Sequence, residues 1–245
     1  MITRDIAICI RVLDYSETSQ IVTFFSRAAG KISVMAKGSR RPKSSFEGPI
    51  EILSSGQIIF IASESAKLGT LMEFDQQMPP HSLATNLSAM NCSFFAAELV
   101  NLLTDDYDPH PELFDSFQQF LNSTAESGNK TDTLVLLIFF QLALLREIGL
   151  RPNFNNCVNC KKSFDKGLFE IYFSNSANGL ICRDCESSFI DKIKLSDRAA
   201  KCLVSLKTIS GADEKTLQEI ERLLIHHFTV LLHKCPKMAK HVLSL

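Results

Sequence analysis

Four cysteines constrain this chain more than any other feature. Cys157-Val158-Asn159-Cys160 is followed, after 21 residues, by Cys182-Arg183-Asp184-Cys185. Two residues between cysteines let both thiolates of a pair grip one ion from a single tight turn, and two such turns supply four sulfurs in a tetrahedron, the arrangement Zn2+ takes in structural sites. The intervening stretch suits a hairpin that carries one knuckle to the other: Phe169, Ile171 and Phe173 alternate, and Asn175 to Gly179 is a turn cluster. Lys161, Lys162 and Arg183 flank the knuckles, where positive charge offsets the excess negative charge of four thiolates on one zinc. Free thiols or two disulfides are the alternatives. Disulfides persist mainly in oxidising compartments, and Met1-Ile2-Thr3-Arg4-Asp5 does not begin a charged segment followed by an apolar one. Structural zinc is the preferred reading. A closed four-sulfur site leaves no coordination position for substrate, so its work is folding.

The 245 residues suffice for one large or several small domains, and a hydrophobic share of 45% with 22% charged residues is that of a globular protein. The longest apolar tract, Thr133 to Leu145, is broken by Gln141 and falls short of the roughly 20 residues that cross a bilayer. It reads as a buried helix, and a cytoplasmic protein without membrane partners is expected. The net charge of -1 conceals segregation: residues 1–80 carry nine Lys/Arg against eight Asp/Glu, residues 81–150 two against nine, and residues 151–245 fifteen against ten. An acidic middle between more basic ends implies partners that meet different surfaces.

Through residue 76 the pattern is that of strands. Ile6, Ile8, Ile10 and Val12 alternate, and further runs surround Phe24-Phe25, Ile32 to Ala36, Ile58 to Ile61 and Leu68 to Phe74. Five short strands suggest a small closed barrel, with the oligonucleotide-binding (OB) type a natural candidate. After Pro79-Pro80 the period becomes helical. Leu83, Leu87, Met90 and Phe94 mark one helix, Leu113, Phe117, Phe120 and Leu121 a second, and Asp132 to Ile148 a third that ends at Gly149. Beyond the cysteines, Ser196 is an N-cap, Gly211 a break, and Leu217 to Leu231 a long last helix. The fold expected is α+β: an OB-type barrel over residues 1–79, then a helical domain over 80–245 containing a zinc hairpin at 153–187.

The most basic stretch runs from Lys31 to Phe46. It holds Lys31, Lys37, Arg40, Arg41 and Lys43 with no acid among them. Such a Gly/Ser/Pro-containing loop is commonly a solvated connector, but on an OB-type barrel it is a phosphate-binding groove, with exposed aromatics to stack bases. Tyr15, Phe24, Phe25 and Phe46 are the aromatics at hand, although adjacent Phe24 and Phe25 cannot both point outward. Nothing resembles a base-edge code, so sequence-tolerant binding is expected.

One enzymatic pattern competes. His110-Pro111-Glu112 upstream of Cys157 and Cys160 has the form of a zinc deaminase signature. No proline precedes Cys157, the second knuckle would be redundant, and His110 lies in an acidic loop, which argues against it. His226, His227, His233 and His241 form no pair spaced for a shared metal on one helix face and read as surface or interface residues, while Cys9, Cys92, Cys202 and Cys235 read as small buried hydrophobes. The apolar helices could also offer a groove to a partner peptide, although packing against one another is the simpler account. The competing class is a protein-interaction module whose basic loop serves acidic protein tails, with DNA affinity incidental.

In order and spacing, the chain resembles the bacterial recombination mediator family RecO over essentially its whole length. The resemblance is carried by Val34-Met35-Ala36-Lys37-Gly38-Ser39-Arg40-Arg41 with Ser44-Ser45, by Gly149-Leu150-Arg151-Pro152 before the first knuckle, and by Asn178-Gly179-Leu180-Ile181 before the second. It implies a non-enzymatic DNA repair protein that binds single- and double-stranded DNA, anneals complementary strands, contacts the acidic tail of single-stranded DNA-binding protein, and with RecR helps load RecA. It makes Lys37, Arg40 and Arg41 DNA contacts and the four cysteines zinc ligands. Lys161 stands where the family commonly has glycine, which implies a looser first knuckle. The acidic tail is expected near the basic C-terminal helices.

Overall fold

In a computed structural model, residues 2–42, 44, 46, 48–62, 68–164 and 170–244 are described. The chain divides into two compact units, Met1–Ser127 and Gly128–Leu245.

The first unit is built on a closed five-stranded barrel, β1 Ile2–Asp14, β2 Gln20–Ser26, β3 Gly30–Ala36, β4 Ser55–Ile61 and β5 Leu68–Phe74, in the order β1-β2-β3-β5-β4 and back to β1. The length of β1 permits closure. Its first half pairs with β4 (Ile2↔Ile61 to Ile8↔Ser55) and its second with β2 (Ala7↔Ser26 to Asp14↔Gln20). A short parallel pairing of β3 with β5, Ser33↔Leu68 to Met35↔Thr70, completes the ring.

The interior differs from the sequence pattern in β1. The alternating isoleucines do not line the barrel; Ala7 and Cys9 do, together with Val22, Phe24, Ile32, Val34, Phe60 and Phe74. A bulge between Cys9 and Arg11 inserts Ile10 and changes the phase, returning Val12 to the core. Ile6 is exposed, and Ile8, opposite in phase to Ala7 and Cys9, is buried on the outside, where it borders a cleft with Leu83 and Leu121. The small residues inside leave room for Phe24 and Phe74 to meet edge to face at 5.0 Å. Both Phe24 and Phe25 are buried: the first fills the barrel, and the second packs outside it on Phe114, ring centroids 6.0 Å apart.

Helices α1 His81–Thr85, α2 Leu87–Leu103 and α3 Pro111–Glu126 belong to this unit. The buried face of α2 is Ala89, Cys92, Phe95, Ala96 and Leu99, not the expected Leu87-Met90-Phe94 stripe; Leu87 is exposed. Small residues on that face allow close backbone approach. Gly30 is a true conformational requirement. Its φ is +72°, and an added Cβ would stand 2.2 Å from the carbonyl oxygen of Asp108.

The second unit contains α4 Lys130–Glu147, a three-stranded sheet (β6 Ile171–Ser174, β7 Gly179–Cys182, β8 Ile193–Lys194, order β7-β6-β8), a 3-10 turn at Arg183–Ser188, and helices α5 Asp197–Val204, α6 Glu214–Leu232 and α7 Ala239–Leu243. Asn129, Ser196 and Asp213 cap α4, α5 and α6 through their side chains. Gly149, at φ +73°, ends α4 in a Schellman arrangement: its N–H donates to Arg146 O and that of Leu150 to Leu145 O. Gln141, which interrupts the apolar tract, is fully buried and donates to Glu221 of α6 at 2.8 Å. Among the described residues no helix is long and apolar enough to cross a membrane.

Candidate nucleic-acid interface and metal centre

The basic segment leaves β3 after strict alternation, with Ile32, Val34 and Ala36 buried and Lys31, Ser33 and Met35 half-buried. It is not a free connector. Buried Gln20 accepts from Ser39 Oγ and from the Ile50 N–H, both at 2.9 Å, so one side chain ties the loop near its start and at its end. The Arg40 N–H donates to Thr18 O and the Gly38 N–H to Ser19 Oγ, docking the loop on the β1–β2 turn. Gly38 (φ +75°) and the Arg41 N–H to Gly38 O bond at 3.0 Å form a tight turn. From this frame Lys37, Arg40 and Arg41 are all exposed. The Arg40 guanidinium pairs with Asp14 at 3.0 Å, in an exposed setting where water and salt weaken the pair. Lys43 lies outside the described residues.

The structure places two of the expected DNA contacts away from the loop surface. Phe46 is 3% exposed and belongs to the barrel core, so it offers no face to a base. Lys31 is turned away: its Nζ donates to the carbonyls of Asn101 and Thr104 at the C-terminal end of α2 and lies 3.6 Å from Asp106. Helix ends carry unpaired carbonyls and partial negative charge, which a lysine satisfies. Tyr15, 65% exposed in the β1–β2 turn that anchors the loop, is the aromatic that remains presented. Sequence alone does not distinguish Tyr15 from Phe24, Phe25 and Phe46, and Gln20, a lone glutamine at a strand start, carries no pattern that would single it out.

In the second unit the four cysteines converge. The sulfurs of Cys157, Cys160, Cys182 and Cys185 lie within 4.8 Å of one another, and those of Cys160 and Cys182 are 3.7 Å apart. Sulfurs placed tetrahedrally about 2.3 Å from zinc stand about 3.8 Å from each other. The cluster therefore could hold a metal ion, and its donor set and spacing fit zinc. Cys157, Cys182 and Cys185 are buried and Cys160 is exposed. Burial pushes the Cys157 thiol up, but the backbone N–H groups of Cys182, Cys160 and Asn159 together with the Cys160 thiol outweigh it and bring it down to about 7. Burial and the neighbouring thiols push Cys182 up to about 12. A cluster with opposed thiol affinities is one that a cation would ionise together.

The knuckle turn is tight despite Lys161. That residue adopts φ +63°, with its N–H on Cys157 O at 2.9 Å and its Nζ on Val158 O at 2.8 Å. The side chain thus helps hold a conformation glycine would take freely. Lys162 and Arg183 pair with Asp184 and Glu170, and the Cys157 sulfur is met by backbone N–H groups, that of Cys182 at 3.5 Å among them. Ile171 and Phe173 are buried as the alternation requires, while Phe169 lies outside the described residues. Asp191 accepts from Ser174 Oγ, Ser176 Oγ and the Ser176 N–H, fixing the hairpin turn, and these bonds hold its carboxyl below the ordinary range against the opposing effect of burial.

Two minor readings change. His227 is not a surface residue: it is 1% exposed, its Nδ1 is 3.0 Å from Asn175 Oδ1, and its ring meets Phe173 edge on. Burial, helped by the charge of His226, pushes it down to about 4. Cys235 is exposed rather than buried. His110 heads α3 beside Asp108 at 3.2 Å, a local pairing without part in the four-sulfur cluster.

Residues 1–76 match the family model described as Recombination protein O N terminal, and residues 84–241 the one described as Recombination protein O C terminal. The chain belongs to the RecO family. Its sequence is 32% identical over 203 residues to the DNA repair protein RecO of Bacillus subtilis, covering 83% of this chain and 76% of that protein. To that of Bacillus pumilus it is 30% identical over 235 residues, 93% of this chain and 88% of the relative. The match to the Rhodopirellula baltica protein is 33% over 182 residues, spanning 74% of this chain and 66% of that one. RecO membership gives the chain a role in DNA repair and recombination and sets aside the deaminase reading.

Proposed function

We propose that this RecO-family chain is a non-enzymatic recombination mediator that binds single- and double-stranded DNA on the barrel and anneals complementary strands. The observation that carries this reading is the pinned loop: Lys37, Arg40 and Arg41 are exposed on a frame held by Gln20, beside exposed Tyr15. Cations on a fixed frame neutralise phosphates with little ordering cost, and a neighbouring phenol ring supplies a stacking face. Neutralising two phosphate chains at once reduces the repulsion that opposes their annealing. Lys43 extends the same basic segment. In this reading residues 1–79 are the DNA-binding domain and residues 80–245 the helical domain with its hairpin at 153–187. The hairpin holds zinc through Cys157, Cys160, Cys182 and Cys185; bound zinc supplies cross-linking of the two knuckles and no reaction chemistry.

The family resemblance supports RecR, the acidic tail of single-stranded DNA-binding protein and, indirectly, RecA as partners in loading RecA, with the chain working in the cytoplasm on the nucleoid. Exposed Lys234, Lys237 and Lys240 near the C-terminus suit an acidic tail.

The test is anisotropy of a labelled single-stranded oligonucleotide across a salt series, for the native chain and for a K37A/R40A/R41A variant. Each neutralised phosphate contributes about -0.7 to the slope of log affinity against log salt, so the variant should lose up to about 2 of that slope. Undiminished affinity would move the DNA away from the loop. No binding at low salt would favour the alternative, a protein-interaction module whose basic loop serves acidic partners.

A further inference from the structure

The four thiols are unequal in access, and that inequality assigns them different chemistry. Cys160 is exposed while the other three are buried. Its sulfur is 3.7 Å from that of Cys182, which sits on the opposite knuckle and also borders a surface cleft with Lys162, Phe164, Ile171 and Arg183. Cys157 has no exposed surface, and its sulfur accepts the Cys182 N–H at 3.5 Å. A disulfide needs sulfurs about 2.05 Å apart. Cys160 and Cys182 therefore have to close by about 1.7 Å, the difference between the observed and bonded separations. β7, which carries Cys182, stays paired with β6 along Ile171↔Cys182 to Ser174↔Gly179, so the outer thiol on its short turn is the partner free to move.

We propose that the metal knuckle is a peroxide-oxidation site in which Cys160 is the entry thiolate and Cys182 the resolving one, so that oxidation bridges the two knuckles and releases the metal. This rests on the zinc reading above. The Cys160 thiolate attacks hydrogen peroxide, the O–O bond breaks, and sulfenic acid and hydroxide form. The Cys182 thiolate then attacks that sulfur and expels a second hydroxide, leaving the Cys160–Cys182 disulfide. Two thiolates supply two electrons, and one peroxide is reduced to two hydroxides. Two of the four ligands are then consumed, and Cys157 and Cys185 alone do not form a closed site. The bond joins one knuckle to the other, so the hairpin remains cross-linked after the metal has gone.

The experiment uses the full chain, with a C235S variant removing the one other exposed cysteine among the described residues. Metal content is measured first, then the protein is titrated with hydrogen peroxide while zinc release is read with a chromophoric chelator, and the product is digested without reduction and mapped by mass spectrometry. The expected result is loss of one zinc per chain in step with a peptide pair linked through Cys160 and Cys182, both reversed by dithiothreitol and added zinc. A disulfide within either knuckle, a terminal sulfinic acid at Cys160, or zinc retained while Cys235 of the native chain is already oxidised would each overturn the proposal. A chain isolated without metal would instead refute the zinc reading on which it stands.

Discussion

Replacing Glu221 by glutamine should make the second unit more stable at neutral and alkaline pH and leave it nearly unchanged in mild acid. Glu221 is 1% exposed in α6 and receives one hydrogen bond, from Gln141 of α4 at 2.8 Å. Its Oε2 and the Oε1 of Gln141 have no partner. Two acceptor oxygens lack a donor, and protonating the carboxyl supplies one. Burial pushes the carboxyl up to about 7, with the Gln141 bond opposing, from an ordinary 4.5. The folded chain thus holds a proton that the unfolded chain releases between those values. The contribution of this carboxyl is greatest below 4.5 and falls as pH rises to about 7, by about 3 kcal/mol in all. Buried His227 acts oppositely. Its folded value of about 4 lies below the ordinary 6.5, so its contribution is complete above 6.5 and is lost as pH falls. The two slopes cancel between roughly pH 4.5 and 6.5 in the native chain and separate in the variant. Urea unfolding followed by circular dichroism at 222 nm, at about pH 5 and about pH 8, should show E221Q gaining about 3 kcal/mol on the native chain at the higher pH and no more than about 1 at the lower. The four-cysteine cluster is the same in both chains and drops out of their difference. An E221Q offset that is equal at both pH values, or a loss at the higher one, would refute a protonated buried carboxyl.

Two further expectations follow from packing. Phe46→Ala should cost about 3 to 5 kcal/mol in urea unfolding, as for a large buried aromatic, and should leave the salt slope of DNA binding unchanged under conditions where the variant is folded. A changed slope without lost stability would return Phe46 to the DNA surface. Gly30→Ala should cost more in urea unfolding than the roughly 1 to 2 kcal/mol of a left-handed non-glycine residue, because the new Cβ also meets the Asp108 carbonyl; an unchanged unfolding midpoint would mean that this loop yields freely.

The sequence by itself determined the elements and the four-cysteine cluster. Period-two alternation in β3, the Ser196 cap, Gly149 as a stop and the paired Cys-x-x-Cys turns are local: each depends on residues a few positions apart, so spacing suffices to read them. Only the tertiary structure decided which face of each element was buried and which charges were available. The bulge at Ile10 reversed the phase of β1, because barrel closure gave the interior to Ala7 and Cys9 and covered Ile8 from outside. Lys31 was drawn to the carbonyls of α2, a helix end 70 residues away in sequence. Phe46 entered the core while Arg40 and Arg41, in the same basic stretch, stayed in water. Gln20 and the buried pair Gln141–Glu221 had no sequence signature, since a polar side chain acquires its role from the partner brought to it across the fold. Hydrophobic pattern specifies that a face is buried, whereas the desolvation of polar groups depends on three-dimensional neighbours and can be assigned only once those are in place.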